Sequence, residues 1–168
     1  MPTPRVETLI ARLEKGGNKT QEALGALAPE GWSAVVYREP VMWDVRDLLA
    51  HLLSAEEGLL RLAQDVAAGG AGAAETFDPD AFNAEEQQRR QGRSPQELLA
   101  ALAAARGVTL AWLRTLDDVQ LDRMGRHPGL GRVTLETIIL GMHGHQLLHL
   151  RDVQRCLVSE GGNLVSGS

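Results

Sequence analysis

The sequence predicts an all-α protein, a four-helix bundle with a long crossover that contains a short extra helix, and three observations predict it. Ala and Leu dominate the apolar residues, while aromatics make up only 4% of the chain. β-Branched residues are scattered rather than gathered into the short alternating runs that mark strands. Four segments of helix-forming length each carry apolar residues at helical spacing, with recognisable starts and stops. At 168 residues one domain is expected, read as a single bundle over residues 1–160 followed by a tail at 161–168. A chain of this size buries most of its apolar surface without disulfides.

The first segment runs from about residue 4 to 28, with Leu9, Ile10, Leu13, Leu24 and Leu27 as its apolar positions and Pro29 after its end. Its "GGN" at 16–18 is expected to loosen the middle. The second opens at "WDVRDLLAHLL", where Asp44 can accept from the free backbone N–H groups of the first turn and Asp47 lies three residues on. Glycines in "AAGGAGAAE" (67–75) stop it and make a flexible connection. The crossover "FDPDAFNAEEQQRRQG" is long enough for a short helix near 80–91. Ser94, Pro95 and Glu97 then start the third segment with a cap, a proline in the first turn and a reciprocal acidic residue. "DRMGRHPGLGRV" reads as a loop, and the fourth segment runs from about Thr134 to Ser159.

A formal charge of −5 and a pI near 5.5 provide no basic stripe, which argues against a nucleic-acid partner. No run approaches the ~20 apolar residues of a membrane span, and the start lacks a secretory h-region, so a cytoplasmic location is expected. Cys156 is the single cysteine, so no internal disulfide and no CxxC site can form; a metal here needs nitrogen and oxygen ligands.

Nitrogen ligands are at hand, because three of the five histidines fall in "HGHQLLH", 143–149. Successive helical residues advance about 100°, so His145 and His149 share one face, about 40° apart and one turn apart. Ile138, Met142, Val153 and Cys156 lie on the same side, which points the pair into the core. His143 points about 160° from His145 and is expected at a surface or interface. On the second segment His51 shares an inward face with Leu48, Ala55, Leu59 and Leu62. Three buried imidazoles can each hydrogen-bond in the core, or together hold one divalent ion as neutral ligands. Three ligands leave coordination positions open, as catalytic sites require.

"WDVRDLLAHLL" followed about ninety residues later by "HQLLHLRDVQ" resembles the DinB-like superfamily of four-helix bundles, across nearly the whole chain in element order. The resemblance implies metal roles for His51, His145 and His149, and relatedness to mycothiol-dependent maleylpyruvate isomerase and bacillithiol transferases. His145 departs from the isomerase branch, which has an acidic residue there, so isomerisation of maleylpyruvate is not expected. The activity the resemblance implies is divalent-metal-dependent transfer of a low-molecular-weight thiol to a small electrophile, while the site's geometry alone permits hydrolysis equally well; Zn²⁺ or Ni²⁺ is the expected ion. A metal-dependent hydrolase and a non-catalytic bundle that binds a metal or small ligand are the alternatives.

Asp152, near the face of His149, can orient that ring or pair with Arg151 or Arg155. Asn83 can reach over an open site from the crossover or cap the short helix. His127 is a loop residue expected to be exposed, with a role as a lid or extra ligand as the alternative. Cys156, seven residues beyond His149, is expected to pack in the core. Glu56 and Glu57 turn away from His51 and are expected to be solvated, and Trp32, Trp43 and Trp112 to anchor packing. Leu140, Leu147 and Leu150 form an apolar stripe opposite the histidine face, which predicts a homodimer through that helix or an extra covering segment.

Overall fold

The computed structural model describes residues 1–160; the tail expected at 161–168 lies outside the described residues. Helix α1 spans Pro4–Gly25, and a 3-10 turn follows at Pro29–Ser33. Strands β1 (Val35–Tyr37) and β2 (Trp43–Asp44) lead into α2 (Val45–Ala67). The crossover carries α3 (Pro79–Arg89), then α4 spans Pro95–Leu113 and α5 is a single turn at Asp118–Leu121. Strands β3 (Met124–His127) and β4 (Gly131–Thr134) precede α6 (Leu135–Ser159).

The helix starts follow the sequence chemistry. Asp44 and Asp47 close a reciprocal capping box on α2, Ser94 and Glu97 close one on α4, and the Thr134 hydroxyl accepts from the Thr137 N–H at the head of α6. The four long helices pack as a ring in which α1 touches α4 and α6, and α2 touches the same two. Helices α1 and α2 are therefore diagonal, as are α4 and α6, whereas α2 and α4 are neighbours that run the same way, with Leu48 and Leu52 level with Leu98 and Leu102 and Ala63 level with Leu113; the crossover between them has to return along the length of the bundle. The core has two layers. One gathers Trp32, Leu48, Leu52, Leu98, Leu102 and Val153. The other gathers Val6, Leu9, Leu13, Ala63, Leu113 and Ile138.

Along α2, α4 and α6 a buried polar cluster falls between these layers, and it corrects the expectation that Glu56 is solvated. Glu56 is 4% exposed and takes a two-pronged ion pair from Arg106, with Nε to Oε1 and Nη2 to Oε2 both at 2.8 Å. Arg106 also donates to the Leu13 carbonyl at 2.8 Å and to Gln146 Oε1 at 2.7 Å, and the Thr109 hydroxyl donates to Glu56 at 2.7 Å. Angular distance from His51 had only excluded Glu56 from the histidine face; α4 supplies the partner that makes burial affordable. Glu57 remains partly exposed and pairs with Arg90 at 2.6 Å.

The "GGN" stretch does not interrupt α1, which is continuous through it. Its glycines are points of close approach: a Cβ on Gly16 would lie 2.7 Å from His143 Nδ1, and one on Gly17 would lie 3.3 Å from Arg106 Cγ. His143 is accordingly packed against α1, its Nδ1 buried, rather than held at a surface. The apolar stripe is covered in the same way. Leu150 is buried in one core layer, Leu140 packs on the other, and Leu147 reaches α1 at Gly16.

The β3–β4 hairpin replaces the stretch expected to be loop, and a second strand pair, β1–β2, lies in a segment to which the sequence assigned no element. β3 pairs antiparallel with β4 from Met124↔Thr134 to His127↔Gly131, and Gly131 turns the chain at φ +72°. Gly125 lets this hairpin lie on α2, since a Cβ there would meet Val66 Cγ2 at 2.1 Å. The β1–β2 pair brings Tyr37 and Trp43 side by side and against α6 and α2. Among the described residues no helix is long and apolar enough to cross a membrane.

Candidate metal centre

Facing positions on α2 and α6 bring the three predicted imidazoles together. His51 Nε2 lies 3.1 Å from His145 Nε2, and His149 Nε2 lies 3.1 Å from the same atom. Nitrogens held about 2.0–2.1 Å from one ion, at angles between octahedral and tetrahedral, sit about 2.9–3.4 Å apart, so both of these spacings suit a single divalent cation, and the ligand atoms of all three rings lie within 4.8 Å of one another. Among the described residues this is the one group of three or more metal-ligating side chains close enough to share an ion.

The electrostatics keep these rings neutral. Burial, then the proximity of His149, lowers the pKa of His51 to about 4, against a smaller opposing effect from Asn83. Burial followed by the neighbouring histidines lowers His145 to about 3. Burial also lowers His149, although Asp152 pulls the other way. Neutral imidazole is the form that ligates.

The tautomer of His149 follows from its partners. Tyr37 Oη lies 2.8 Å from His149 Nδ1 and also donates its proton to Asp152 Oδ2. An ionised carboxylate can only accept, and burial followed by the Asp152 hydrogen bond raises the Tyr37 pKa and keeps its hydroxyl protonated. The single Tyr37 proton therefore goes to Asp152, His149 Nδ1–H donates to the phenol oxygen, and the Nε2 lone pair faces His145. Asp152 thus orients His149 through Tyr37 rather than directly, with Arg155 a loose partner at 3.9 Å. The Trp43 ring lies 4.9 Å from that of His51, centroid to centroid, so this tryptophan borders the site as well as anchoring packing. His51 Nδ1 is buried without a hydrogen-bond partner; Asn83 approaches the ring but does not satisfy that atom.

Beyond His51 and His145 opens a cavity of about 800 Å³, walled by α2, α3, the 70–79 connection, the β3–β4 hairpin and α6. Asn83 lines it from within α3, whose cap is Asp78, so the expectation that Asn83 caps the short helix is corrected. His127 lines it from the end of β3; it stands apart from the three-histidine group, and its Nδ1 accepts the Gly129 and Leu130 N–H groups at 3.0 and 3.2 Å. Cys156 packs on the first core layer, its thiol donating to the Val35 carbonyl at 3.2 Å. Sequence reasoning did not find Tyr37. The only signal was that "AVVYREP" holds the chain's single tyrosine, and nothing local ties that segment to α6.

Fold and site together define a four-helix bundle with a three-imidazole centre beside a cavity that two of the three histidines line. The sequence profile of the DinB superfamily matches residues 12–153. The chain belongs to that superfamily. No curated protein sequence matches it. Among solved structures, YfiT from Bacillus subtilis, described as a probable metal-dependent hydrolase with an unusual four-helix bundle topology, is similar with a TM-score of 0.77 at 22% identity, over 96% of this chain and 90% of that one. Mycothiol-dependent maleylpyruvate isomerase is similar with a TM-score of 0.71 at 15% identity, over 88% of this chain but 60% of the isomerase. At these identities the likeness concerns the fold.

Proposed function

We propose that the protein is a cytoplasmic metal-dependent enzyme that transfers a low-molecular-weight thiol to a small electrophile. The observation that carries this reading is the convergence of three imidazoles, with His145 Nε2 at 3.1 Å from both His51 Nε2 and His149 Nε2, beside an open cavity that His51 and His145 line. His51, His145 and His149 would hold the ion, Zn²⁺ or Ni²⁺ by the character of the donors. The ion supplies Lewis acidity, which lowers the pKa of a thiol or water brought to it. Asp152 and Tyr37 hold the proton on His149 Nδ1, and Trp43 restrains the His51 ring.

Hydrolysis is the second reading, favoured by the similarity to YfiT over nearly its whole length. It ranks below thiol transfer because a hydrolase calls for a general base at the cavity, and the one carboxylate lining it, Asp65, is engaged by the Gly72 N–H at 2.9 Å. A non-catalytic bundle ranks third; a fourth protein ligand would have closed the site, and His127 does not join the group. Homodimerisation belongs to the same proposal, but with the stripe covered by α1 it would have to use exposed positions of α6 such as Leu148 and Val158. Sedimentation of the protein as a monomer would remove it.

The test is metal content by mass spectrometry on tag-free protein beside a His149→Ala variant. About one ion per chain, absent from the variant, supports the centre and leads to assays of thiol consumption with candidate electrophiles. A metal-free wild type after incubation with Zn²⁺ and Ni²⁺ refutes it.

A further inference from the structure

The cavity beside the three histidines is built rather than left over. Helix α6 carries glycines at 141 and 144, one turn apart, and both line it. Glycine inside a helix costs about 0.5–1 kcal/mol relative to alanine, so two of them on one face are a stability sacrifice. What they supply is space: a Cβ on Gly144 would meet nothing within 4 Å, and one on Gly141 would touch only the tips of His127 and Leu130, at 3.6 Å. At about 800 Å³ the cavity suits a drug-sized molecule better than a two- or three-carbon electrophile. Its walls are apolar over most of their area, with Leu59, Leu62, Phe77 and Phe82 among them.

The polar groups that face this space are unequal in kind. Asp65, the one carboxylate among them, is turned to the 70–72 connection, where it accepts the Gly72 N–H. His127 accepts two backbone N–H groups at Nδ1, which puts its proton on Nε2, the atom nearest Gly141. Arg61 is exposed at the rim beside Phe82, with no carboxylate paired to it among the described residues. The groups left are the His127 Nε2–H, the Asn83 amide, which can donate or accept, and the Arg61 cation, so donors, one of them fully charged, outweigh acceptors around an apolar volume. Their complement is an acceptor-bearing, anionic, otherwise apolar ligand.

We propose that the cavity binds an amphipathic organic acid, its apolar body along Leu59, Leu62, Phe77 and Phe82 and its carboxylate or equivalent anion held at the rim by Arg61. The far end of such a ligand would then lie toward His51 and His145. The inference deepens the enzymatic reading by naming the class of its second substrate, and it rests on that reading only for the chemistry; binding itself needs no metal.

The two can therefore fail separately if binding is measured on the metal-free chain. Decanoate, decanol and decyltrimethylammonium, titrated by calorimetry below their micelle concentrations, are the probes. Decanoate is expected to bind about three- to tenfold more tightly than decanol, the size of a charged hydrogen bond at a half-open site, and the quaternary ammonium more weakly still. Arg61→Gln should bring decanoate down to decanol, and Arg61→Lys should keep most of the preference. Gly144→Leu should abolish binding of all three while melting no lower than the wild type, since it fills space and improves helix propensity. Decanoate that fails to bind, binds no better than decanol, or binds Gly144→Leu undiminished overturns the proposal. Those outcomes leave the metal centre untouched, and a His149→Ala variant that loses metal but still prefers decanoate would sink neither the cavity nor its specificity.

Discussion

Replacing Tyr37 by Phe removes one oxygen and tests how the centre is assembled. In the structure that oxygen accepts from His149 Nδ1 at 2.8 Å and donates to Asp152. Without it, His149 Nδ1 loses its partner in a half-buried site, and nothing favours the tautomer whose Nε2 lone pair faces the other two rings. A neutral hydrogen bond is worth about 0.5–1.5 kcal/mol, and one to a charged group about 1.5–3 kcal/mol. Only part of the Tyr37–Asp152 bond reaches the ligand, so a loss of about 1.4–2.7 kcal/mol is expected, or about 10–100-fold in metal affinity. Competition with a chromophoric chelator at neutral pH measures this, with circular dichroism to confirm that the variant keeps its helices. The phenyl ring retains its place beside Trp43 and His149, so packing should change little. An affinity within twofold of the wild type would refute the argument that Tyr37 sets the His149 tautomer.

Glu56→Ala should cost about 3–5 kcal/mol, because it strands the Arg106 guanidinium, itself 5% exposed, without its carboxylate; a melting temperature lower by less than about 5 °C would contradict this. Gly16→Ala should lower stability by about 1–3 kcal/mol despite better helix propensity, since its Cβ would meet His143 Nδ1 at 2.7 Å; denaturant unfolding of the two proteins decides the sign. The metal-free protein should lose stability as pH falls. His51 and His145 have folded pKa values lowered to about 4 and about 3, whereas unfolded histidines titrate near 6.5. Between those limits the unfolded chain binds more protons, so the loss runs from about pH 6.5 down to about pH 4 and below, and a flat melting profile across that window would refute the burial argument.

Much of this protein was determined by the sequence alone. Periodicity and caps are local, so the four long helices, their starts at Asp44, Ser94 and Thr134, and the short crossover helix follow from residues a few positions apart. The inward faces of His51, His145 and His149 are equally local, being angles on single helices, and their meeting needed only the assumption of a bundle. What the tertiary structure decided is whatever depends on which helix faces which. Glu56 could not be read as buried until Arg106 arrived from α4, fifty residues away, and the glycines of α1 looked like weak points until His143 and Arg106 were seen to fill the room above them. The stripe on α6 looked exposed because one helix does not reveal its neighbours, and α1 covers it. Short strands in Gly- and Pro-rich segments carry almost no periodic signal, so the hairpin that places His127 and the strand that places Tyr37 emerge only from pairing. The histidines were legible because a helix repeats every turn, and so was Asp152 three residues beyond His149; Tyr37, which links the two, was not, because it comes from a segment more than a hundred residues distant in the chain.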